Sequence, residues 1–295
     1  MDLQQMRYVV EVADTGSFTR AAARCFVTQS ALSHQIAALE RELGQTLFTR
    51  TSRSVRLTEA GEAFLRQARI VVSAADAAKE DAAAAAGRVI GTLRVGVIPT
   101  VAAIDVPALI ARFRAVHPAV RVELTVGNSD ALIAAVRRGE LDVALLGLRA
   151  EIVPGGVGLR VLAQERLVVA VPPGHELSGR ESIRLHDLAG AVFADFPAGT
   201  SGRAQGDAAF AASGLGRDVA FEADSAELML GLVAAGLAVT LLSPGVVIRS
   251  RADVVPVEVL DGPLRVEYAA WDARAPRAVA RAFLAVIEAL LPESE

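Results

Sequence analysis

The chain has 295 residues, 53% of them hydrophobic, and a formal net charge of −4. That length supports two or three folding units with real cores, and the acidic balance excludes a protein coated throughout by nucleic acid. A single cysteine excludes an intramolecular disulfide and a two-cysteine redox switch within one chain, and four scattered histidines offer no metal-ligand spacing.

Charge is unevenly distributed. Residues 1–58 hold seven Arg against five acids, whereas 59–90 and 91–295 are both net acidic, so the one positive segment is the N-terminal one. Arg outnumbers Lys 29 to 1, a compositional habit of the genome more than a functional choice. The opening residues MDLQQ hold neither a basic nor an apolar leader region, so the expectation is a cytoplasmic protein without a secretion signal.

In chain order, Asp2 and Gln5 fit a capping box, and Leu3, Met6, Val9, Val10 and Ala13 give an amphipathic first helix that Gly16 breaks. Ser17 caps a second helix with Phe18, Ala21, Ala22 and Cys25 on its buried side, and Phe26 and Val27 are expected to fill the turn. Thr28 caps a third helix whose Leu32, Ile36, Leu39 and Leu43 form one apolar stripe, with Gly44 as a left-handed stop. Its opposite face carries Gln29, Ser30, Ser33, His34 and Ala37, with no carboxylate before Glu40. Such a face suits the major groove: hydroxyls and backbone N–H groups meet phosphate, and Gln29 can pair with an adenine edge. An ordinary helical hairpin with a short polar surface fits the same spacing. Leu47 and Phe48 read as core. The run 49–58 alternates Arg50, Arg53 and Arg56 with Thr and Ser, which suits a two-stranded wing reaching phosphates or a narrow minor groove; a solvated basic loop is the alternative.

Residues 1–60 resemble the winged helix-turn-helix of LysR-type transcriptional regulators. The resemblance rests on Leu3, Phe18, Ala21-Ala22, Thr28-Gln29-Ser30-Ala31-Leu32-Ser33, Ile36, Leu39-Glu40, Leu43-Gly44, Leu47-Phe48, Arg50 and Leu57-Thr58-Glu59-Ala60-Gly61. The family usually has Arg where this chain has His34, a departure at a DNA-facing position. The resemblance implies that Gln29, Ser30, Ser33 and His34 contact bases or phosphate, with Arg50 and Arg53 on the backbone or minor groove.

Thr58 caps the next helix, which runs to Ala86 without proline. Phe64, Ala68, Val71, Ala75, Ala78, Ala82 and Ala85 form a heptad seam on a helix roughly 42 Å long. A lone Ala-rich surface helix is the plain alternative; in the resembled family this is the linker helix that pairs two subunits. After Gly87 and Gly91 the pattern becomes β/α: strand 93–98, helix 106–116, strand 120–126, helix 129–138 capped by Ser129, strand 143–146. A second half follows, with strands 159–163 and 167–171 separated by Gln164-Glu165-Arg166, strand 192–196, helix 203–212, strand 219–221, helix 225–235 and strand 239–242. The chain closes with 254–260, strand 264–271 and helix 277–291. Leu228–Ile248 lacks charge, but Gly231, Gly236, Pro244 and Gly245 make helix, turn and buried strand a better reading than a membrane span.

The fold expected is thus α/β overall, with an N-terminal winged helix-turn-helix at 1–58, a linker helix at 59–90 for dimerisation and a two-lobed α/β effector-binding domain at 91–295. The residues alone give two β/α halves. The resemblance adds periplasmic-binding-protein-like lobes, lobe one about 92–162 plus 266–295 and lobe two about 163–265. Ligands of such domains sit beyond strand ends and at helix N-termini, which selects Thr100, Asn128, Thr200, Ser201 and Arg203, with Arg149 after the strand 143–146. The loop Pro197–Arg203, with two hydroxyls, several amides and one Arg, is the expected carboxylate cradle. There is no nucleophile elbow, phosphate loop or dinucleotide fingerprint, so no enzyme and no cofactor is expected. The expected partners are a double-stranded DNA operator, a second copy through the linker helix with further assembly to a tetramer, a small metabolite such as an organic acid, and RNA polymerase, with no membrane. The rival from another class is a ligand-binding or enzymatic α/β domain whose helical head only oligomerises.

Overall fold

A computed structural model describes residues 1–50 and 55–291. The chain forms two compact units, Met1–Arg88 with Arg138–Glu140, and Val89–Arg137 with Leu141–Glu295.

The first unit contains α1 (Leu3–Thr15), α2 (Phe18–Arg24), α3 (Gln29–Leu43), β1 (Phe48–Arg50), β2 (Val55–Leu57) and α4 (Glu59–Ala85). Local chemistry sets its boundaries. Asp2 Oδ1 accepts from the Gln5 amide at 2.8 Å while Gln5 Oε1 accepts from the Asp2 amide at 3.1 Å. Ser17, Thr28 and Thr58 cap α2, α3 and α4, and Gly16 and Gly44 close α1 and α3 in the left-handed region. The apolar stripes of three helices meet in one core: Val9 and Val12, Phe18 and Ala21, Leu32, Ile36 and Leu39, closed by Leu47 and Phe48. The wing strands pair antiparallel, Phe48 with Leu57 and Arg50 with Val55. Gly61 is required in the first turn of α4, because a Cβ there would fall 2.1 Å from the Leu47 carbonyl oxygen. Phe26 departs from expectation. It does not fill the turn: its φ of 56° carries the chain out of α2 and leaves the ring 95% exposed. Cys25 is half-buried at the margin of the core.

α4 leans on α1. Phe64, Leu65 and Ala68 join the core side, Arg7 pairs with Asp76, and Arg69 with Asp14. Ile70 and Val71 point away from it, 59% and 42% exposed.

The second unit contains β3 (Gly91–Val97), α5 (Val106–Val116), β4 (Val120–Val126), α6 (Ser129–Arg137), β5 (Val143–Arg149), β6 (Gly158–Arg166), β7 (Val168–Val171), β8 (Ser182–Ile183), a 3-10 turn (Leu185–Leu188), β9 (Val192–Asp195) and α7 (Ser201–Ala212). It continues with β10 (Asp218–Glu222), α8 (Ala226–Ala234), β11 (Thr240–Leu242), α9 (Pro244–Arg249), β12 (Val255–Val259), β13 (Leu264–Trp271) and α10 (Ala278–Glu288). Two lobes result. In lobe one the sheet order is β4-β3-β5-β13-β6, with the first three strands parallel and β13 antiparallel to both neighbours. α5 and α10 cover one face, where Phe113 and Phe283 meet edge-on at 5.3 Å, and α6 covers the other through Leu132, Ile133 and Val136. In lobe two the order is β11-β7-β12-β8. A bridge between Phe193 and Val239 adds the parallel pair β9-β10. α7 packs Phe210 on one face of this sheet, and α8 and α9 bury Met229, Leu230 and Val247 on the other.

Among the boundaries that differ from expectation, three bear on the region around the lobes. Gln164-Glu165-Arg166 does not break the chain: the triplet is the end of β6, with Arg166, Glu165 and Gln164 paired to Leu264, Arg265 and Val266. Ladder pairing, not side-chain hydropathy, holds it extended. β5 runs on through Arg149 for the same reason, since β13 pairs along its whole length. The cap of α6 is Asn128, whose Oδ1 accepts from the Ala131 amide at 2.9 Å. The Ser129 hydroxyl, one residue on, instead donates to the Gly147 carbonyl and accepts from its amide, at 3.0 and 3.2 Å.

Candidate functional site

In the first unit the outward face of α3 from Gln29 to His34 is polar and free of acid. Gln29, Ser30 and His34 are exposed, and Ser33 is half-buried and accepts from Gln29 Nε2 at 2.8 Å. Thr28 and Ser30 share a hydroxyl contact at 3.1 Å. Glu40, the first carboxylate on the helix, is bound to backbone: its Oε1 accepts the Leu47 and Phe48 amides at 2.7 and 3.2 Å, fixing the start of the wing. Arg50 ends β1, and Arg53 lies outside the described residues.

In the second unit a cavity of about 280 Å³ lies between the lobes, beyond the C-terminal ends of β3 and β4 and beside the start of α7. Its polar wall holds Thr100, Asn128, Ser129, Thr200, Gln205 and Arg265, and its apolar wall Ile98, Val126, Leu167, Phe196, Leu241 and Leu242. Of the residues expected from sequence, Thr100, Asn128 and Thr200 line it; Arg149, Ser201 and Arg203 do not. Thr200 caps α7, accepting from the Arg203 amide at 3.3 Å and donating to the Pro197 carbonyl at 2.8 Å. Ser201 gives its amide and hydroxyl to Asp130 Oδ2, at 3.0 and 2.6 Å, linking α7 in lobe two to α6 in lobe one. Arg203 is held at 3.0 Å by both Asp207 and Glu222. Arg149 sits opposite Arg265 in the ladder, with Glu151 at 4.0 Å.

Beneath the Pro197–Thr200 loop lies a buried ionic knot. The Arg217 guanidinium is stacked on the rings of Phe193 and Phe210, at 5.1 and 5.3 Å, with Nη1 2.8 Å from Asp195. Gly206 makes room, since a Cβ there would fall 2.4 Å from that Nη1. Burial raises the Asp195 carboxyl above its ordinary range, opposed by Arg217 and by the Phe196 amide. Partial burial would raise Asp207 too, but hydrogen bonds from Arg217 and Arg203 outweigh it and hold that carboxyl low.

Sequence reasoning missed Arg265 and Gln205. The signal was present: in Leu-Arg-Val-Glu-Tyr-Ala-Ala-Trp, Arg265 and Glu267 alternate with apolar residues and read as a solvent face. Both are buried instead. Glu267 accepts the Ala102 and Ala103 amides at 3.0 Å, and burial pushes its carboxyl up against the pull of Arg265 and those amides. Burial likewise lowers Arg265, opposed by Glu267 and Glu165. Among the described residues no group of His, Cys, Asp and Glu could hold a metal ion, and no helix is long and apolar enough to cross a membrane.

Comparison with known proteins bears on both units. Residues 3–62 match the family described as bacterial regulatory helix-turn-helix protein, lysR family, and residues 86–292 match the LysR substrate binding domain. The chain is 35% identical over 245 residues to the transcriptional dual regulator GltC of Bacillus subtilis, covering 82% of this chain and 80% of that protein. It is 34% identical over 243 residues to the DNA-binding transcriptional dual regulator OxyR of Escherichia coli, covering 82% and 79%. Among solved structures, a full-length OxyR variant from Pseudomonas aeruginosa aligns with a TM-score of 0.77 at 27% identity, over 100% of this chain and 99% of that one. Full-length CbnR complexed with its target DNA aligns with a TM-score of 0.69 at 25% identity, over 98% and 99%. With a helix-turn-helix head, a two-lobed domain and family matches across both, the chain belongs to the LysR family of transcriptional regulators, non-enzymatic DNA-binding proteins with an effector-binding domain.

Proposed function

We propose that α3 is the recognition helix, with Gln29, Ser30, Ser33 and His34 facing bases or phosphate and Arg50 and Arg53 on the backbone. The observation that carries this is the acid-free outward face of α3 from Gln29 to His34, set on a core that fixes its orientation. Residues 1–58 are the DNA head, 59–90 the linker, and 91–295 the effector domain. The exposed Ile70 and Val71 on α4 support pairing of two linker helices, which places two heads on an inverted repeat in successive major grooves. A small organic acid in the interlobe cavity, contacted by Thr100, Asn128 and Thr200, shifts lobe closure and the spacing of heads in a tetramer. Arg149, Ser201 and Arg203, off the cavity wall in this arrangement, reach the acid only through a change in lobe closure. RNA polymerase is the downstream partner, in the cytoplasm.

The test is binding to DNA upstream of the protein's own gene at two salt concentrations. A compact footprint over an interrupted inverted repeat, weakening steeply with salt, is expected. Gln29→Ala lowers operator affinity about tenfold, in line with roughly 1–3 kcal/mol for a bidentate base contact, with the melting temperature unchanged. Equal affinity for operator and scrambled DNA overturns the reading.

A further inference from the structure

The α7 N-terminus is the obvious seat for an anion in the cavity, and the chain already fills it. Asp130 takes the Ser201 amide and hydroxyl, and Arg203 is neutralised by Asp207 and Glu222. The cationic donor left on the cavity wall is Arg265. Its side chain is only 4% exposed. Nη2 donates to the Thr100 carbonyl at 2.9 Å and lies 3.1 Å from Glu267, while Nε–H has no hydrogen-bond partner among the described residues.

Gly147 is what opens this site. It lies across the ladder from Glu267, and a Cβ on it would fall 2.5 Å from Arg265 Nε and 2.8 Å from Cζ. Without a side chain at 147, the guanidinium folds over β5 and forms part of the cavity wall. Gln205 reaches the same spot, its Nε2 donating a long 3.4 Å hydrogen bond to the Gly147 carbonyl. A buried N–H without an acceptor is costly, and a ligand oxygen that draws the guanidinium off Gly147 toward the cavity removes that cost.

We propose that Arg265, over Gly147, anchors the carboxylate of a small monoanionic effector whose remaining body is apolar. This deepens the reading of the cavity as the effector site and rests on it. The apolar body lies against Leu167, Leu241, Leu242 and Phe196, opposite the guanidinium's polar surroundings. A second negative charge is selected against. Asp224 lines the cavity and Asp130 stands at the lobe junction, so a further carboxylate meets fixed negative charge.

The experiment uses the full-length protein and matched ligand series: benzoate, hexanoate and phenylacetate, their amides, and the dicarboxylates phthalate, adipate and homophthalate, read by calorimetry and thermal shift. At least one monocarboxylate binds, and at least tenfold more tightly than its amide and its dicarboxylate partner, as expected for a charge-assisted bond at a buried site. Arg265→Lys weakens that monocarboxylate at least tenfold and leaves the amide within threefold. The ligand comparison stands on the native protein if that variant does not fold. Leu241→Trp, which narrows the cavity, separates the two layers. If binding survives L241W, the cavity reading itself fails. If L241W abolishes binding but carboxylate and amide bind equally, or R265K keeps full affinity, the cavity stands and the anchor is overturned. If no monocarboxylate binds at 10 mM or below, the proposed class is overturned.

Discussion

The outward face of α3 comes from one stretch, Gln29–His34, whereas the cavity wall draws side chains from near the ends of β3, β4 and β9, from β11 and β13, and from α7. One is a local object, oriented by a core of neighbouring helices. The other exists only once distant segments have met. The difference shows in how each surface handles charge: α3 holds no acid before Glu40, while around the cavity Asp130 is tied to Ser201 and Glu267 to Arg265, and Asp224 lines the wall. A local surface is therefore sensitive to its own residues and to the few that hold it, and a composite surface to the struts between its parts.

Four changes test this contrast, in order of expected size. Ile36→Ala, fully buried under α3, is expected to cost about 2–5 kcal/mol in the head alone. Operator binding in gel shift should disappear while ligand-induced stabilisation of the second unit persists; loss of both together would mean that the units do not behave independently. Arg217→Met removes a cation buried to 3% and strands Asp195, at about 3 kcal/mol or more. Lobe two should melt early, with hydrogen exchange rising in α7 and β9 and not in α3. Asp130→Ala deletes two hydrogen bonds between the lobes at a solvent-accessible site, worth no more than about 1 kcal/mol. A small fall in melting temperature is expected with a larger change in effector affinity; no change in either would show that the contact does not hold the lobes. The smallest effect is on pH dependence. The Asp207 carboxyl is held low in the folded protein, so the stability it adds is present above its unfolded pKa and lost as pH falls through the depressed folded value. Asp207→Asn should flatten the acid limb of lobe-two stability and leave the neutral region nearly unaltered.

The same contrast explains what could be read in advance. Caps are local, so Ser17, Thr28, Thr58, Gly44 and the Asp2–Gln5 box were readable as spacing, and so were the stripes of α1 and α3. The order of strands and helices in the second unit followed from period changes and from Gly and Pro punctuation. The place of Thr100, Asn128 and Thr200 on the cavity wall could be anticipated because strand ends and helix starts are themselves local marks. Arg265 was not, since its burial depends on a glycine more than a hundred residues earlier in the chain. Ser201 and Arg203 lie off the cavity wall because Asp130 and Glu222, which hold them, are brought to those positions only by the tertiary fold. Phe26 shows the limit inside a local motif: a large ring suggests burial, but its left-handed backbone turns it outward.

The place of β13 between β5 and β6 has a consequence for biosynthesis. Neither of those strands pairs with the other; each is hydrogen-bonded to β13. Until Leu264–Trp271 has left the ribosome, β5 waits with one open edge and β6 without any strand partner, while nearly all of lobe two has already emerged. Docking of β13 and α10 is then the step of highest sequence separation, the one on which folding speed depends and the one during which nascent chains can pair with each other.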